Sequence, residues 1–215
     1  TGLFPKTFYE NVYGTVTVVN EQVTQDGLRH VEVTPFREEA KYSDKRHPDR
    51  VVFTKNLLFD LDRRDFTINA IAYDPIQKQI IDSHEGQKDI KDKIVRAIGQ
   101  PTERFEEDPL RIMRGVRLAT ELGFTINMET IEGMIKTSKL LRFIAPERIR
   151  DEFCKILMTK NLMPGIIILQ KIGALKQFLP ELEEGVGMKQ NGDHKYDVWE
   201  HTLRVAQHAA DRDWP

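Results

Sequence analysis

The stretch Glu107-Asp108-Pro109-Leu110-Arg111-Ile112-Met113-Arg114-Gly115-Val116-Arg117 constrains this chain more than any other. A proline is tolerated in a first helical turn, where its missing N–H had no partner to lose, so Pro109 marks a helix start. Glu107 and Asp108 then place negative charge at the positive end of the helix dipole. At about 100° per residue from Asp108, Ile112, Met113, Val116 and Ala119 fall between roughly 20° and 140°. Arg111, Arg114 and Arg117 fall between roughly 180° and 300° on the same wheel. One face is core, and the other carries three cations next to one carboxylate.

Two readings of that polar face are open. The plain one is a salt-bridge ladder, because Glu107–Arg111 and Arg117–Glu121 are both i,i+4 pairs. The sharper one is recognition of a nucleobase edge. A carboxylate accepts hydrogen bonds and a guanidinium donates them. Cytosine and adenine share an exocyclic amino donor beside a ring-nitrogen acceptor, and guanine and uracil present the reverse order. An aspartate and an arginine fixed side by side match the first pair and mismatch the second. Further arginines suit phosphate, which they grip bidentately.

The remainder of the chain reads as strands followed by helices. Val16-Thr17-Val18-Val19 and His30 to Phe36 flank Asp26-Gly27, the signature of a hairpin with positive φ at the glycine. Lys41 to Asp49, which includes His47, is polar and rich in turn formers, and reads as an exposed loop. Asp65 can N-cap a short helix over Phe66 to Tyr73, although alternation there also permits a strand. Asp82 and Gly86 read as turn formers. Gly123 reads as the stop of the helix that Pro109 begins. Glu129 to Lys136 and Pro146 to Met158 read as amphipathic helices, the second burying Ile149, Phe153, Ile156 and Leu157. Cys154 is placed with that apolar side as a small core residue.

Composition narrows the class. The chain has 215 residues, 31% of them charged, with a formal net charge of −2. That balance gives a nucleic-acid partner no support by itself, so any such contact must come from local clustering. The lone Cys154 excludes an internal disulfide and fits a reducing compartment. No apolar run approaches the ~18 residues that span a bilayer. The chain starts at Thr1 and stops at Trp214-Pro215, as a fragment cut at both ends would.

Two motifs carry a family resemblance. Glu107-Asp108-x-x-Arg111 resembles the nucleotide-selecting motif of the class II nucleotidyltransferases, the tRNA CCA-adding enzymes and bacterial poly(A) polymerases. Leu61-Asp62-Arg63-Arg64-Asp65-Phe66-Thr67-Ile68-Asn69-Ala70-Ile71-Ala72 resembles a second motif of that family more closely still. The resemblance runs over nearly the whole chain and favours base recognition over the plain ladder. It implies an α+β fold: part of an antiparallel-sheet head over residues 1–92, then an all-α neck and body over 93–190. Residues 191–215 resemble the entry to an HD-type metal-phosphohydrolase domain, with His201 as its first ligand and His208 on the same helix face. The defining adjacent His-Asp pair is absent from the sequence.

The resemblance also implies roles. Arg64 reaches the nucleotide's phosphates and Asn69 its ribose. Asp108 and Arg111 read the base, and Arg114 and Arg117 grip phosphate or order Asp108. Arg148 and Arg150 help organise the pocket or contact RNA, with salt bridges as the alternative. Glu32 is the strand carboxylate near the catalytic metals. The aspartates that would bind Mg²⁺ belong to a Gly-Gly-x-Val-Arg-Asp…Asp-x-Asp segment upstream of the hairpin, so no metal ligand is assigned in this chain, and the fragment alone is expected to be inactive. The implied activity is cytoplasmic transfer of CMP and AMP from CTP and ATP to the tRNA 3′ end. Poly(A) polymerization and a non-catalytic RNA-binding role are the alternatives, and the oligomeric state is left open.

Overall fold

A computed structural model describes residues 6–10, 14–23, 29–40, 50–190 and 195–212. Two compact units divide between Arg63 and Arg64. The chain is α+β, with small antiparallel sheets followed by helices.

In the first unit, β1 (Thr7–Glu10), β2 (Thr15–Val19) and β3 (His30–Val33) form an antiparallel sheet in the order β1-β2-β3. Val16 faces Val33 and Val18 faces Val31, as alternation requires of a hairpin. The Asp26-Gly27 turn and the Lys41 to Asp49 loop with His47 lie outside the described residues. β3 ends at Val33 instead of continuing to Phe36. Pro35, which has no N–H to give to a ladder, lies just beyond it. β4 (Arg37–Ala40) and β5 (Arg50–Phe53) pair antiparallel, and α1 (Leu57–Asp62) follows, N-capped by the Asn56 side chain. Buried Asp60 ties α1 to β4, accepting from the Arg37 N–H at 3.2 Å and from Arg63 Nη2 at 2.7 Å.

The second unit begins with the segment whose structure the sequence left open, and both readings survive in part. Thr67–Asn69 is a single 3₁₀ turn, and β6 (Ile71–Asp74) follows it, paired antiparallel with β7 (Gln79–Asp82). Asp82 does act as a turn former, accepting from the N–H groups of Gly86 and Gln87. Then come α2 (Gly86–Asp92) and β8 (Ile94–Val95), which pairs in parallel with β9 (Thr125–Ile126). The division into units falls before residues 65–67, which are bonded to 96–98. The Thr67 N–H donates to the Arg96 carbonyl at 2.9 Å and the Ile98 N–H to the Asp65 carbonyl at 3.1 Å.

Sequence reasoning ran Glu107 and Asp108 into one helix, and the structure separates them. α3 (Pro101–Glu107) ends at Glu107, and α4 (Leu110–Leu122) starts beyond Pro109. Asp108 lies between them in an extended conformation, φ −141° and ψ 99°. Proline disfavours the helical region for the residue before it, which accounts for the break. Asp108 nevertheless caps α4: its Oδ1 accepts from the Leu110 N–H at 3.1 Å and its carbonyl from the Arg111 N–H at 3.0 Å.

α4 is the axis of this unit. Ile112, Met113, Val116 and Ala119 are all buried, as the wheel required, and α4 ends at Gly123 in the left-handed region. Around it pack α6 (Pro146–Leu157), α7 (Leu162–Lys171), β8 and β9, while α5 (Met128–Thr137) packs on α3. α8 (Pro180–Glu183) and α9 (Val198–Asp211) complete the described helices. Cys154 is exposed, a correction to its expected core position. The buried residues of α6 are Ile149, Glu152 and Ile156, and Cys154 sits about 140° round the helix from Ile149. No described helix is long and apolar enough to cross a membrane.

Gly115 sets how closely α4 approaches the 65–67 segment. A Cβ there would lie 2.5 Å from Met134 Cε and 2.7 Å from Cζ of the fully buried Phe66 ring. The methionine end can move, but the ring is wedged in the core. Gly115→Ala is therefore expected to lower unfolding free energy by about 1–3 kcal/mol, the usual range for overpacking. Urea denaturation of the two chains measures this directly.

Candidate functional site

The second unit brings two of the sequence's motifs together around a buried carboxylate that sequence reasoning treated only as a cap. Asp65 is 7% exposed. Its Oδ1 accepts from the Phe66 N–H at 2.9 Å and from Asn69 Nδ2 at 3.0 Å. Its Oδ2 accepts from Arg114 Nε and Nη2, both at 2.7 Å. Burial alone pushes this carboxyl up, but the Arg114 guanidinium and the hydrogen bonds outweigh it and hold the pKa below the ordinary value. Asp65 thus joins the 3₁₀ turn to the polar face of α4.

Ahead of α4, Asp108 presents a carboxylate bonded through each oxygen. Oδ1 is on the α4 backbone, and Oδ2 receives Arg148 Nη2 from α6 at 3.2 Å. Arg148 was one of two α6 arginines left between pocket and salt bridge, and it is the one that reaches Asp108. The other, Arg150, pairs with Asp151 on the surface. The Asp108 side chain keeps 16% of its surface. Arg111 is held from the opposite side: its Nη1 donates to Glu107 Oε2 at 2.6 Å and to the Arg104 carbonyl at 3.1 Å. Arg104 donates to the same Glu107 oxygen at 3.1 Å. A guanidinium has five N–H donors, and a carboxylate has about four acceptor positions.

Both i,i+4 pairs of the plain reading are present, so part of the charge stripe is a ladder. Arg117 donates from Nη1 to Glu121 at 2.8 Å and from Nε to the buried Glu152 at 2.7 Å. Lys155 completes that cluster on Glu152 at 3.0 Å. Arg117 therefore fastens α4 to α6. The contact on Asp108 comes from Arg148, whereas Arg114 and Arg117 are bonded to Asp65 and Glu152. The guanidinium groups of Arg114 and Arg117 are taken by carboxylates on other segments, and Arg148 from the neighbouring helix reaches the Asp108 Oδ2.

The other expected residues are placed as follows. Arg64 is exposed and immediately precedes Asp65, and Asn69 is half-buried at the end of the 3₁₀ turn. Glu32 is exposed on β3 of the first unit, opposite Thr17 of β2. His201 and His208 are both exposed on α9, whose N-cap is Asp197. Among the described residues, no group of three or more His, Cys, Asp or Glu is placed to hold a metal ion. The residues that sequence reasoning underrated are Asp65 and Arg148. The signal for Asp65 was its place inside the second motif. Arg148 offered only an arginine near the start of a helix.

Residues 4–96 match the family described as "Poly A polymerase head domain", and residues 123–185 match "Probable RNA and SrmB- binding site of polymerase A". The chain is 43% identical over 183 residues to a CCA-adding enzyme of Lactococcus lactis, covering 85% of this chain and 45% of that one. It is 39% identical over 209 residues to a CCA-adding enzyme of Levilactobacillus brevis, covering 97% and 48% respectively. The chain thus spans about half the length of the curated relatives it matches. A crystal structure of the Bacillus stearothermophilus CCA-adding enzyme in complex with CTP superposes with a TM-score of 0.73 at 34% identity, covering 86% of this chain and 43% of that one.

The depressed pKa of Asp65 gives a signed pH dependence. A carboxyl whose folded pKa lies below its unfolded value stabilises the fold fully above the unfolded pKa and loses that contribution as pH falls through the folded one. Thermal stability is expected to fall as pH drops below ~4, the ordinary aspartate value. Asp65→Asn is expected to be less stable at pH 7 and to show a shallower acid limb. Melting temperatures from pH 7 down to 2 for both chains test this.

Proposed function

Because the chain belongs to the class II nucleotidyltransferase family, we propose that it is part of an enzyme that adds CMP and AMP from CTP and ATP to the tRNA 3′ end without a template strand, releasing pyrophosphate. The observation that carries this reading is the pairing at the start of α4: a partly exposed Asp108 carboxylate and, one helical turn along, an Arg111 guanidinium clamped by Glu107. Asp108 accepts from the exocyclic amino group that cytosine and adenine share, and Arg111 donates to the neighbouring ring nitrogen. Against guanine or uracil the same two groups oppose acceptor to acceptor and donor to donor, leaving desolvated polar groups unpaired. Holding both side chains in place before binding lowers the ordering cost of recognition.

The other roles follow from placement. Arg64 takes the triphosphate and Asn69 the ribose. Arg114, locked to Asp65, keeps the nucleotide-binding turn against the base-reading helix. Arg117 is given a structural part on Glu152. Phosphoryl transfer of this kind rests on divalent cations that stabilise developing charge. The described residues offer no such ligand set, so no step is assigned to a metal here, and Glu32 is proposed only as a carboxylate near the reacting phosphates. We divide the sequence into part of a head (1–92), a neck and body (93–190) and the start of an HD-type domain (191–215), and place the enzyme in the cytoplasm.

The selectivity test needs no catalysis. CTP and ATP are expected to raise the melting temperature of the chain, and GTP and UTP to leave it unchanged. Saturation at 100 Kd corresponds to about 2.7 kcal/mol. Asp108→Ala and Arg111→Ala are expected to abolish the difference between the two pairs of nucleotides. Equal stabilisation by all four would reject base reading by these residues. Incorporation of each nucleotide by the full-length protein onto tRNA lacking its 3′ end then separates CCA addition from poly(A) synthesis.

A further inference from the structure

We infer that Asp89 is a positioning residue for nucleotide binding, acting through the hydroxyl of Thr67 on the 3₁₀ turn that carries Asn69. The inference deepens the reading above and rests on its placement of Asn69 at the ribose. Asp89 lies on α2 and is 2% exposed. Its Oδ2 accepts from Thr67 Oγ1 at 2.7 Å and from Arg96 Nε at 3.0 Å, and its Oδ1 accepts from Arg96 Nη2 at 3.2 Å. A carboxylate so deeply buried persists only when it is paired and hydrogen-bonded. Here those bonds converge on one threonine and on the residue whose carbonyl accepts that threonine's N–H.

Thr67 is gripped at each of its polar groups. Its N–H donates to Arg96, its hydroxyl to Asp89, and its carbonyl accepts from the Ala70 N–H at 3.0 Å to close the turn. α2 reaches the turn because Gly86 has no side chain; a Cβ there would overlap the Thr67 carbonyl oxygen. Two residues further on, Asn69 donates its amide nitrogen to Asp65. Only the NH₂ can donate to a carboxylate, so the amide oxygen is the atom left to accept from a sugar hydroxyl. A turn free to shift on its far side would lose that aim while keeping its fold, since Asp65 and the pairing with 96–98 would persist.

The test is the binding of CTP and 2′-deoxyCTP to the same chain by calorimetry. Thr67→Val removes the hydroxyl. It is expected to weaken CTP about tenfold, the scale of one lost hydrogen bond, and to reduce the CTP over deoxyCTP preference by a similar factor. Thr67→Ala is expected to do the same and covers the case in which the valine does not fit. Thr67→Ser, which keeps the hydroxyl, is expected to retain both values. A purely structural bond would lower the melting temperature and leave the ratio of the two affinities unchanged, and that result would overturn the inference. So would an unmodified chain that binds the two sugars alike. A chain that confuses CTP with GTP, yet shows the sugar ratio and its loss in Thr67→Val, would reject the base-reading proposal and uphold this one.

Discussion

The ion pair between Asp65 and Arg114 is the interaction on which the rest of the second unit's polar architecture depends. Its partners are 49 positions apart in sequence, and it joins a strand-like segment to the face of the central helix. One carboxylate serves a backbone N–H, an asparagine amide and a guanidinium at once. That saturation lets a charge stand at the edge of an apolar core beside the Phe66 ring. Once α4 and the 3₁₀ turn share this hub, the direction of Asn69 and the axis that carries Arg111 are set together.

A second constraint comes from proline chemistry. Pro109 forces Asp108 out of the helical region, and this is what parts α3 from α4. An aspartate inside a continuous helix would have its carboxylate on the helix surface. Placed at the break, it caps the new helix with one oxygen and keeps part of its carboxylate exposed. Arg148 steadies the second oxygen from α6. Glu107, on the last turn of α3, reaches Arg111 and fixes the matching donor. A hydrogen-bond acceptor and a donor are thereby fixed one helical turn apart, as recognition of a base edge by rigid groups requires.

The apolar faces, caps and stops were legible because they rest on local rules. The buried stripe of α4, the stop at Gly123, the starts at Pro109 and Pro146, and the antiparallel pairing of Val16 with Val33 all follow from periodicity or single-residue stereochemistry. The misjudged features share a different cause. Cys154 sits on a helix whose buried residues are Ile149, Glu152 and Ile156, Glu152 meeting Arg117 of α4 there. The split between α3 and α4 was within reach, since the residue before a proline avoids helix. Arg148 was not, because no local pattern names the helix that will lie across from Asp108.

The family resemblance supplied the α+β fold and the role of the second motif; the amino-acid order by itself determined the run of strands followed by helices, the position of the central helix and a polar face whose chemistry suits a nucleobase edge. It did so because helix and strand periods and hydrogen-bonding inventories are properties of neighbouring residues. Only the tertiary structure decided which partner each charge takes. It assigned Arg114 to Asp65, Arg117 to Glu152 and Arg148 to Asp108. Ion pairs between distant segments depend on which surfaces the core brings within about 3 Å, and that distance is set by packing, as where Gly115 lets α4 approach Phe66.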